Sequence, residues 1–444
     1  MQNIFALGSN GSGQLGLGHT ADVNEPTECL FCENPAKENQ PGTKDETSST
    51  RKRKVKRIAC GGNHTLILFE DGSVYAAGEM FLDCAIGDGG DKYKFNRVVF
   101  RHGRSGPVIE RFRDICATWS ASFFVATIHT TNTSTGDGGE GGEEKEVVIA
   151  LGTGGKGELG LGMGRTSSSP TTNNGYIEIN SSMLQNFPPP GTSIRCIGSS
   201  AYHTVAILSD GEVYGWGAGR KGQLGRENSV RKVVWEPVRV AIAMGKGFVP
   251  DSVACGREFT FISGFVVDNE GKGEGEYMYT ILGGGDKWGI VSGGPSLQTL
   301  RKSTPGRERY TASASWHGIY LHDILDNSGL AWGRNDRGQL GPLSGSLSTD
   351  QQAQLSDKQP IRSEAISQFV AGSEHAVALS FDNRTILACG WGEHGNCGPY
   401  TDEHGDVKGG RVCHIRLPDE VFQDEKAKVV RLAAGCATTW IVTS

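Results

Sequence analysis

The sequence has no long apolar run, few hydrophobic residues and no excess of positive charge. No stretch of about 20 apolar residues is present, so we expect no membrane-spanning helix. The net charge of -6 disfavours a nucleic-acid scaffold, because phosphate binding needs a positive footprint. The chain opens without the charged region, apolar core and cleavage site of a secretion signal. We therefore expect a cytoplasmic protein, with the nucleus as an alternative location. We expect its 11 cysteines to be reduced and expect no direct contact with membrane or nucleic acid.

Glycine is abundant instead: its 65 residues are about twice the usual share. Together with the 36% hydrophobic content, this indicates many tight turns and few helices. One glycine-rich motif, IFALGSNGSGQLGLG at 4–18, returns at 148–162, 213–225 and 330–341, with weaker copies at 74–87, 279–289 and 387–398. Seven copies spaced roughly 50 to 75 residues apart indicate a single repeat array.

A second repeated unit, strand–turn–strand, alternates with the first and has its clearest copy at Val55–Gly78. Asp71-Gly72 and Asp210-Gly211 are typical hairpin turns, since both residue types accept positive φ.

An alignment by eye of the seven copies of this second unit gives three positions in its first turn. A small residue, expected beside a central axis, stands at Cys60, Cys116, Ser199, Cys255, Ser313, Ala371 and Ala434. A mostly His position, expected to satisfy a turn backbone group, comprises His64, Ser120, His203, Phe259, His317, His375 and Thr438. A variable position, expected on an exposed face, comprises Asn63, Trp119, Tyr202, Glu258, Trp316, Glu374 and Ala437.

The order of the units predicts a closed ring. The chain begins with a glycine-rich unit and ends with the strand–turn–strand unit RLAAGCATTWIV, so each end holds part of one blade. We therefore predict a single all-β domain over 1–444, a seven-bladed β-propeller closed by its N- and C-terminal strands. Polar segments at 35–54, 130–146, 165–191 and 344–359 break the period and are expected to be mobile insertions.

Three motifs invite a chemical interpretation, and each has a structural alternative. Gly11, Gly13 and Gly16 match a dinucleotide fingerprint, but a strand-like stretch follows where that fingerprint needs a helix. Cys29 and Cys32 have the spacing of half a zinc site, but no second pair follows at a suitable distance. The basic run at 51–57 suits either nuclear import or a solvated loop.

No nucleophile motif and no paired carboxylates stand out. We therefore expect no enzyme, catalytic residue, cofactor or metal site. Exposed aromatic residues beside charges are typical of a protein interface, while packing of each tryptophan on a neighbouring loop is the alternative.

The two alternating units resemble the repeats of the Regulator of Chromosome Condensation family, which forms seven-bladed propellers. Four segments resemble one fungal branch of that family: Phe5–His19, IACGGNHT from Ile58, Cys389–Pro399 and Gly435–Val442. The resemblance implies a non-enzymatic partner protein. The negative charge and the start inside a repeat depart from the chromatin-bound exchange factor of the same fold, which weakens a role in nucleotide exchange on a Ran-type GTPase.

The fungal branch pairs with a small CSL-type zinc/iron-binding protein of diphthamide synthesis, and indirectly supports Elongator-dependent modification of tRNA wobble uridines. The resemblance therefore implies a heterodimer with such a protein. The residues that we expect to bind it are Trp391, Glu393, His394 and Asn396, then Trp119, Tyr202, Trp316 and Glu374, and finally Trp440, which aligns inside a strand. A general propeller scaffold is the remaining alternative.

Overall fold

The chain is all-β in its described part, and the strands form the seven blades of a β-propeller, as predicted. The computed structural model describes residues 2–32, 53–79, 91–102, 106–130, 143–165, 172–173, 176–179, 182–245, 247–266, 276–296, 300, 309–341, 361–363, 365–407 and 412–444. The predicted insertion at 344–359 lies outside these ranges, as do most of 35–54 and 130–146 and parts of 165–191.

The N-terminal half of the chain holds two strands of blade 1, all of blades 2 and 3, and a small additional sheet. Blade 1 opens with β1 (Asn3–Gly8) and β2 (Val23–Glu28). Blade 2 comprises β3 (Val55–Cys60), β4 (His64–Phe69), β5 (Val74–Gly78) and β6 (Asn96–Arg97). The additional sheet begins with β7 (Phe100–Arg101) and β8 (Val108–Ile109). Blade 3 comprises β9 (Asp114–Ala117), β10 (Ala121–Thr130) and β11 (Glu143–Gly152). The additional sheet is completed by β12 (Thr172–Asn173) and β13 (Tyr176–Glu178).

The remaining blades follow in chain order. Blade 4 comprises β14 (Ile194–Ser199), β15 (His203–Leu208), β16 (Val213–Ala218) and β17 (Val233–Arg239). Blade 5 comprises β18 (Phe248–Cys255), β19 (Phe259–Val266) and β20 (Glu276–Gly283). Blade 6 comprises β21 (Tyr310–Ala314), β22 (Gly318–Asp323), β23 (Ser328–Gly333) and β24 (Ile361–Ser363). Blade 7 comprises β25 (Ile366–Ala371), β26 (His375–Ser380), β27 (Ile386–Trp391), β28 (Asp406–Val407) and β29 (Cys413–Ile415). Finally, β30 (Val429–Ala434) and β31 (Thr438–Thr443) return to blade 1.

The two chain ends close the ring, as the sequence predicts. Strand β1 pairs antiparallel with β31 over six residue pairs, from Asn3 opposite Thr443 to Gly8 opposite Thr438. The sheet order β2-β1-β31-β30 therefore makes blade 1 from both ends of the chain. Every residue of β31 is buried. Because the closing strand is an interior strand, the ring leaves no exposed edge at the point of closure.

Helices contribute little to the described part of the chain. The 3₁₀ turns Ser229–Arg231 and Asp419–Phe422 lie between strands. Within the described ranges no helix has both the length and the apolar content that crossing a membrane requires.

Large aromatic side chains fill the space between neighbouring blades. Trp216, Trp332 and Trp440 are all but completely buried. Each indole N–H has an acceptor, as buried indoles usually do: Trp216 donates to the carbonyl of Glu158 at 3.0 Å, and Trp440 donates to Oγ1 of Thr438 at 3.3 Å. The core therefore consists of layers between the blades.

In each blade, a glycine at the end of the third strand from the axis allows that strand end to lie against the inner turn of the same blade. Its φ is positive in all seven blades, at Gly8, Gly78, Gly152, Gly217, Gly283, Gly333 and Gly390. At Gly217 an added Cβ would collide with the carbonyl oxygen of Tyr202. Both the backbone conformation and the close approach therefore require glycine there.

We predict that Gly217→Ala lowers the free energy of unfolding by about 2 kcal/mol or more, because alanine at positive φ is strained and its Cβ has no room. Urea unfolding followed by tryptophan fluorescence measures the change. Gly155→Ala is the matched control, since an added Cβ there meets nothing within 4 Å. Equal stabilities of the two variants would show that the close approach is unimportant.

Candidate partner-binding face

The turn between the two innermost strands of each blade lies at the propeller axis, and its hydrogen bonds fix how the repeats align. In blade 2 the N–H of Gly61 donates to the carbonyl of His64 at 2.8 Å. The same bond in blade 3 joins Thr118 to Ala121 at 2.8 Å. Trp119 therefore occupies the position of Gly62, one residue before the variable position.

This register corrects the alignment made by eye in blades 3 and 6. In blade 6 the bond joins Ser315 to Gly318, so Trp316 also occupies the position of Gly62. The strand register agrees, because Cys60 pairs with Thr65 as Ala117 does with Ser122. The assignment of Cys116 and Ser313 to the small position, of Ser120 and His317 to the His position, and of Trp119 and Trp316 to the variable position is therefore wrong by one residue.

Backbone hydrogen bonds between successive blades join these inner turns into a collar. Each of five turns donates a backbone N–H to a carbonyl of the next turn, with N···O distances of 2.9 to 3.0 Å. The bonds are Gly62 to Trp119, Trp119 to Ala201, Arg257 to Trp316, Trp316 to Ser373, and Ser373 to Gly435. The collar fixes the backbone from which the axial side chains project.

Two indoles cover the axis at this end of the propeller, which we call the axial mouth and define by Trp119, Trp316 and Arg257. The indole rings of Trp119 and Trp316 come from blades 3 and 6, and their centroids lie 5.9 Å apart. Arg257 places its guanidinium 5.0 Å from the ring centroid of Trp316. Trp119 keeps 39% of its surface exposed. The corrected register thus places both tryptophans at an accessible site.

A cavity of about 120 Å³ lies against the two indoles, and the small-residue position of every blade lines it. These residues are Cys60, Ala117, Ser199, Cys255, Ala314, Ala371 and Ala434. The prediction that the small position faces the axis is therefore confirmed, with Ala117 and Ala314 replacing the two misaligned residues. Burial raises the pKa of Cys60 to about 12 and that of Cys436 to about 11, so these thiols are protonated at neutral pH.

Three buried histidines bond to the following blade. The ring of His64 lies near the backbone of Ala121, and the ring of His203 lies near the backbone of Phe259. In addition, Nε2 of His203 lies 2.9 Å from Oγ1 of Thr260. His375 repeats this arrangement with Thr438 and Thr439 of blade 1. The histidines therefore link neighbouring blades, and Nε2 of His203 and of His375 bonds to a threonine hydroxyl.

A second cluster of accessible side chains lies where blades 7 and 1 meet. Trp391 contacts His394 edge-on, with ring centroids 5.3 Å apart, and its indole N–H donates to Oε2 of Glu393 at 3.2 Å. Nδ1 of His394 lies 2.7 Å from Oδ2 of Asp22, in the turn after β1. We call these four residues the Trp391 cluster. It is partly exposed, and contacts from both blades hold it in place.

Two residues predicted to bind a partner are fully buried. Asn396 takes the place of the glutamine in the glycine-rich turn, and its Nδ2 donates to the carbonyl of Trp391 at 2.8 Å. Trp440 contacts Phe95 in the core between blades 1 and 2. Neither side chain reaches solvent, so neither belongs to the accessible surface of this face.

Cationic side chains lie beside the aromatic residues of this face, and the sequence did not predict them. Arg337 of blade 6 lies 5.8 Å from the ring centroid of Trp391 in blade 7 and donates to Asp406 at 2.8 Å. Arg334 donates to Glu374 at 2.5 Å.

The same pairing recurs at two further aromatic rings. The guanidinium of Arg334 lies 5.4 Å from the ring centroid of Trp288. In blade 4, Tyr202 has Nζ of Lys156 3.3 Å from its ring centroid. Each cation comes from a different part of the chain than its aromatic partner, so sequence spacing gives no signal for these pairs.

The other candidate motifs have structural roles in the described part. The turn with Gly11, Gly13 and Gly16 leads to strand β2, and no helix follows it. Among the described residues, no three His, Cys, Asp or Glu side chains are close enough to hold a metal ion, and the cysteines found there are free thiols. The basic run enters β3 at Val55, and Arg57 donates to Asp114 at 2.7 Å; residues 51–52 lie outside the described ranges.

Comparison with known proteins agrees with this architecture. Models of the Regulator of chromosome condensation (RCC1) repeat match residues 3–68, 194–223 and 210–263. Among solved structures, Prp20p of Saccharomyces cerevisiae is 17% identical with a TM-score of 0.61, covering 100% of this chain and 91% of its own. Human WBSCR16 is 15% identical with a TM-score of 0.62, covering 100% and 99%. The fold defines an RCC1-type seven-bladed propeller.

The curated relatives agree with the repeat assignment. The RCC1 repeat-containing protein C10F6.04 of Schizosaccharomyces pombe is 27% identical over 99% of this chain and 98% of its own length. The mouse secretion-regulating guanine nucleotide exchange factor is 24% identical over 90% of this chain and 76% of its own. The chain is therefore similar to RCC1-repeat proteins over nearly its whole length, and RCC1 repeat models match it in the segments named above.

The buried histidines predict a pH dependence of stability. Burial lowers the pKa of His64, His203 and His375 to about 4 from an ordinary value of 6.5. Between these values the unfolded chain binds protons that the folded protein does not, so stability is complete above pH 6.5 and falls towards pH 4. Three such groups give at most about 4 kcal/mol per pH unit.

Unfolding free energies measured from pH 7 to pH 4.5 test this slope. We expect His203→Gln to lower the slope of unfolding free energy against pH by about one third, because it removes one of the three buried histidines. His414→Gln, at an exposed histidine, is the control and should leave the slope unchanged. A slope that His203→Gln does not alter would contradict the assignment.

Proposed function

We propose that this propeller is a non-enzymatic adaptor that binds a small CSL-type metal-binding protein through the face carrying the Trp391 cluster and the axial mouth. The sequence resemblance of four segments to the fungal alpha-tubulin suppressor, also called the killer-toxin-insensitivity propeller, suggests this partner. In that role the pair would support diphthamide synthesis on the translation elongation factor and Elongator-dependent tRNA modification, in the cytoplasm, with the nucleus as an alternative location.

The Trp391 cluster is the observation that carries the proposal. An indole, an imidazole and two carboxylates project at the junction of blades 7 and 1, and contacts from both blades already fix them. Tryptophan at a preorganised, partly exposed site is the usual hot spot of a protein interface. Because the side chains are ordered before binding, little rotamer entropy is lost when a partner docks.

The charge pattern of this face suits a small folded partner. Arg334 and Arg337 are paired with Glu374 and Asp406, so the face mixes charges of both signs around its aromatic residues. Mixed charges beside tryptophan match the composition of specific protein interfaces. A continuous positive stripe, which a nucleic acid would need, is not formed by the described residues of this face.

We predict that Trp391→Ala lowers capture of the purified small metal-binding protein by about 30-fold, which corresponds to the 2 kcal/mol or more of a hot-spot aromatic. His394→Ala should weaken capture less, because it removes only one side of the cluster. Phe381→Ala is the matched control, since Phe381 is 63% exposed on the hairpin at the other end of blade 7. Capture that survives both changes at full strength would remove this cluster from the interface.

A guanine-nucleotide exchange factor is the second candidate. The specific observation in its favour is the likeness to the mouse exchange factor over 90% of this chain. A release assay with a labelled guanine nucleotide on a Ran-type GTPase separates the two functions. We expect no acceleration above the spontaneous rate; a catalytic amount of propeller that speeds release would favour the exchange factor.

A further inference from the structure

One side of the axial mouth is lined by small residues. The ring position that contributes Trp119 and Trp316 holds small residues in three successive blades, Ser373 of blade 7, Cys436 of blade 1 and Gly62 of blade 2. An added Cβ at Gly62 would lie 2.7 Å from the indole of Trp119, so the tryptophan leans over this side. A protruding side chain of a partner can approach Trp119 across these small residues.

Arg257 is the cation at this mouth that has no acidic partner among the described residues. Arg334 and Arg337, by contrast, each form ion pairs with carboxylates. Stacking on Trp316 holds the guanidinium of Arg257, with 5.0 Å between its carbon and the ring centroid, and leaves its N–H groups available. An arginine stacked on an aromatic ring is preorganised to receive a carboxylate.

Charges of both signs surround Arg257, and Glu258 and Asp336 act on His317 against Arg257 and Arg334. His317 lies beside Arg257 and Arg334, and its pKa is lowered by burial first and then by these two charges. The neighbouring cation Lys221 pairs with Glu258 at 3.5 Å. A carboxylate brought to Arg257 would therefore find one unpaired cation and no described acid within ion-pairing distance of it.

From this geometry we propose that the axial mouth binds an extended acidic segment of the partner, with a carboxylate on Arg257 and an apolar side chain against Trp119. The inference deepens the proposed function and rests on it, since the partner docks on the same face. An acidic peptide fits better than a nucleic acid, because one unpaired guanidinium among the described residues of the mouth, with Glu258 next to it in sequence, cannot follow a phosphate backbone.

Fluorescence anisotropy with a labelled peptide, Gly-Asp-Glu-Leu-Asp-Glu-Gly, tests the mouth directly at low ionic strength. Arg257→Glu is expected to weaken binding by about tenfold or more, because it replaces the attraction with a repulsion. Trp119→Ala should weaken it by a similar factor through the lost apolar contact. Arg416→Glu makes the same charge change at an exposed residue beyond β29 and should leave binding unaltered.

Four results would overturn the inference: no measurable binding to the wild-type propeller, equal binding of the amide peptide Gly-Asn-Gln-Leu-Asn-Gln-Gly, wild-type affinity of the Arg257→Glu variant, or tighter, Arg257-dependent binding of a single-stranded oligonucleotide. Circular dichroism and the urea midpoint confirm that each variant is folded. A loss of binding in Arg257→Glu and Trp119→Ala with native spectra supports the inference.

Capture of the small metal-binding protein separates this inference from the proposed function. If wild-type propeller captures the protein and Arg257→Glu captures it equally well, the acidic-segment inference fails while the adaptor function stands. If wild-type propeller captures none, the adaptor function fails, and the peptide titration alone decides whether the mouth binds acidic segments. Reduced capture by Arg257→Glu, with Arg416→Glu unaffected, supports both.

Discussion

The close approach of inner turns in neighbouring blades, bonded through the backbone at five junctions between described residues, is the constraint on which the rest of this propeller depends. Backbone N–H groups reach the carbonyls of the following blade at 2.9 to 3.0 Å, which is possible only where side chains beside the axis are small. Cys60, Ser199 and Ala371 meet that requirement. A glycine at the end of the third strand, such as Gly217, allows that strand end to lie against the inner turn of the same blade. A ring built this way holds its axial side chains rigidly.

The same constraint explains how aromatic and charged side chains come together on this face. The axis has room for only a few large groups, and Trp119 and Trp316 fit there because four of the other five blades carry a small residue at that position. Cations from other segments then cover the exposed rings, as Arg337 does for Trp391. Such pairs order the aromatic residues before any partner arrives, and a preorganised surface binds with less entropic cost.

The number of blades, the closure by β1 and β31 and the small residues at the axis could be predicted from the sequence. Each blade must meet the same packing requirement at the axis, so the same sequence pattern appears seven times. The alignment made by eye failed by one residue in blades 3 and 6. There the buried histidine is replaced by Ala121 and Gly318, and the nearby Ser120 and His317 imitate it in the alignment. Only the hydrogen bonds of the folded turn settle that register. Arg257, Arg334 and Arg337 were not predicted, since their partners lie on other blades.

The central claim is that one face of a rigid ring, centred on the axial mouth and the Trp391 cluster, docks a small metal-binding protein. Hydrogen–deuterium exchange of the propeller with and without that protein measures it most directly. The account predicts slower exchange at residues 117–120, 256–259, 315–317 and 391–394, and unchanged exchange in the hairpin at 380–385 at the opposite end of blade 7. Protection confined to that hairpin, or to the outer strands of the blades, would contradict it.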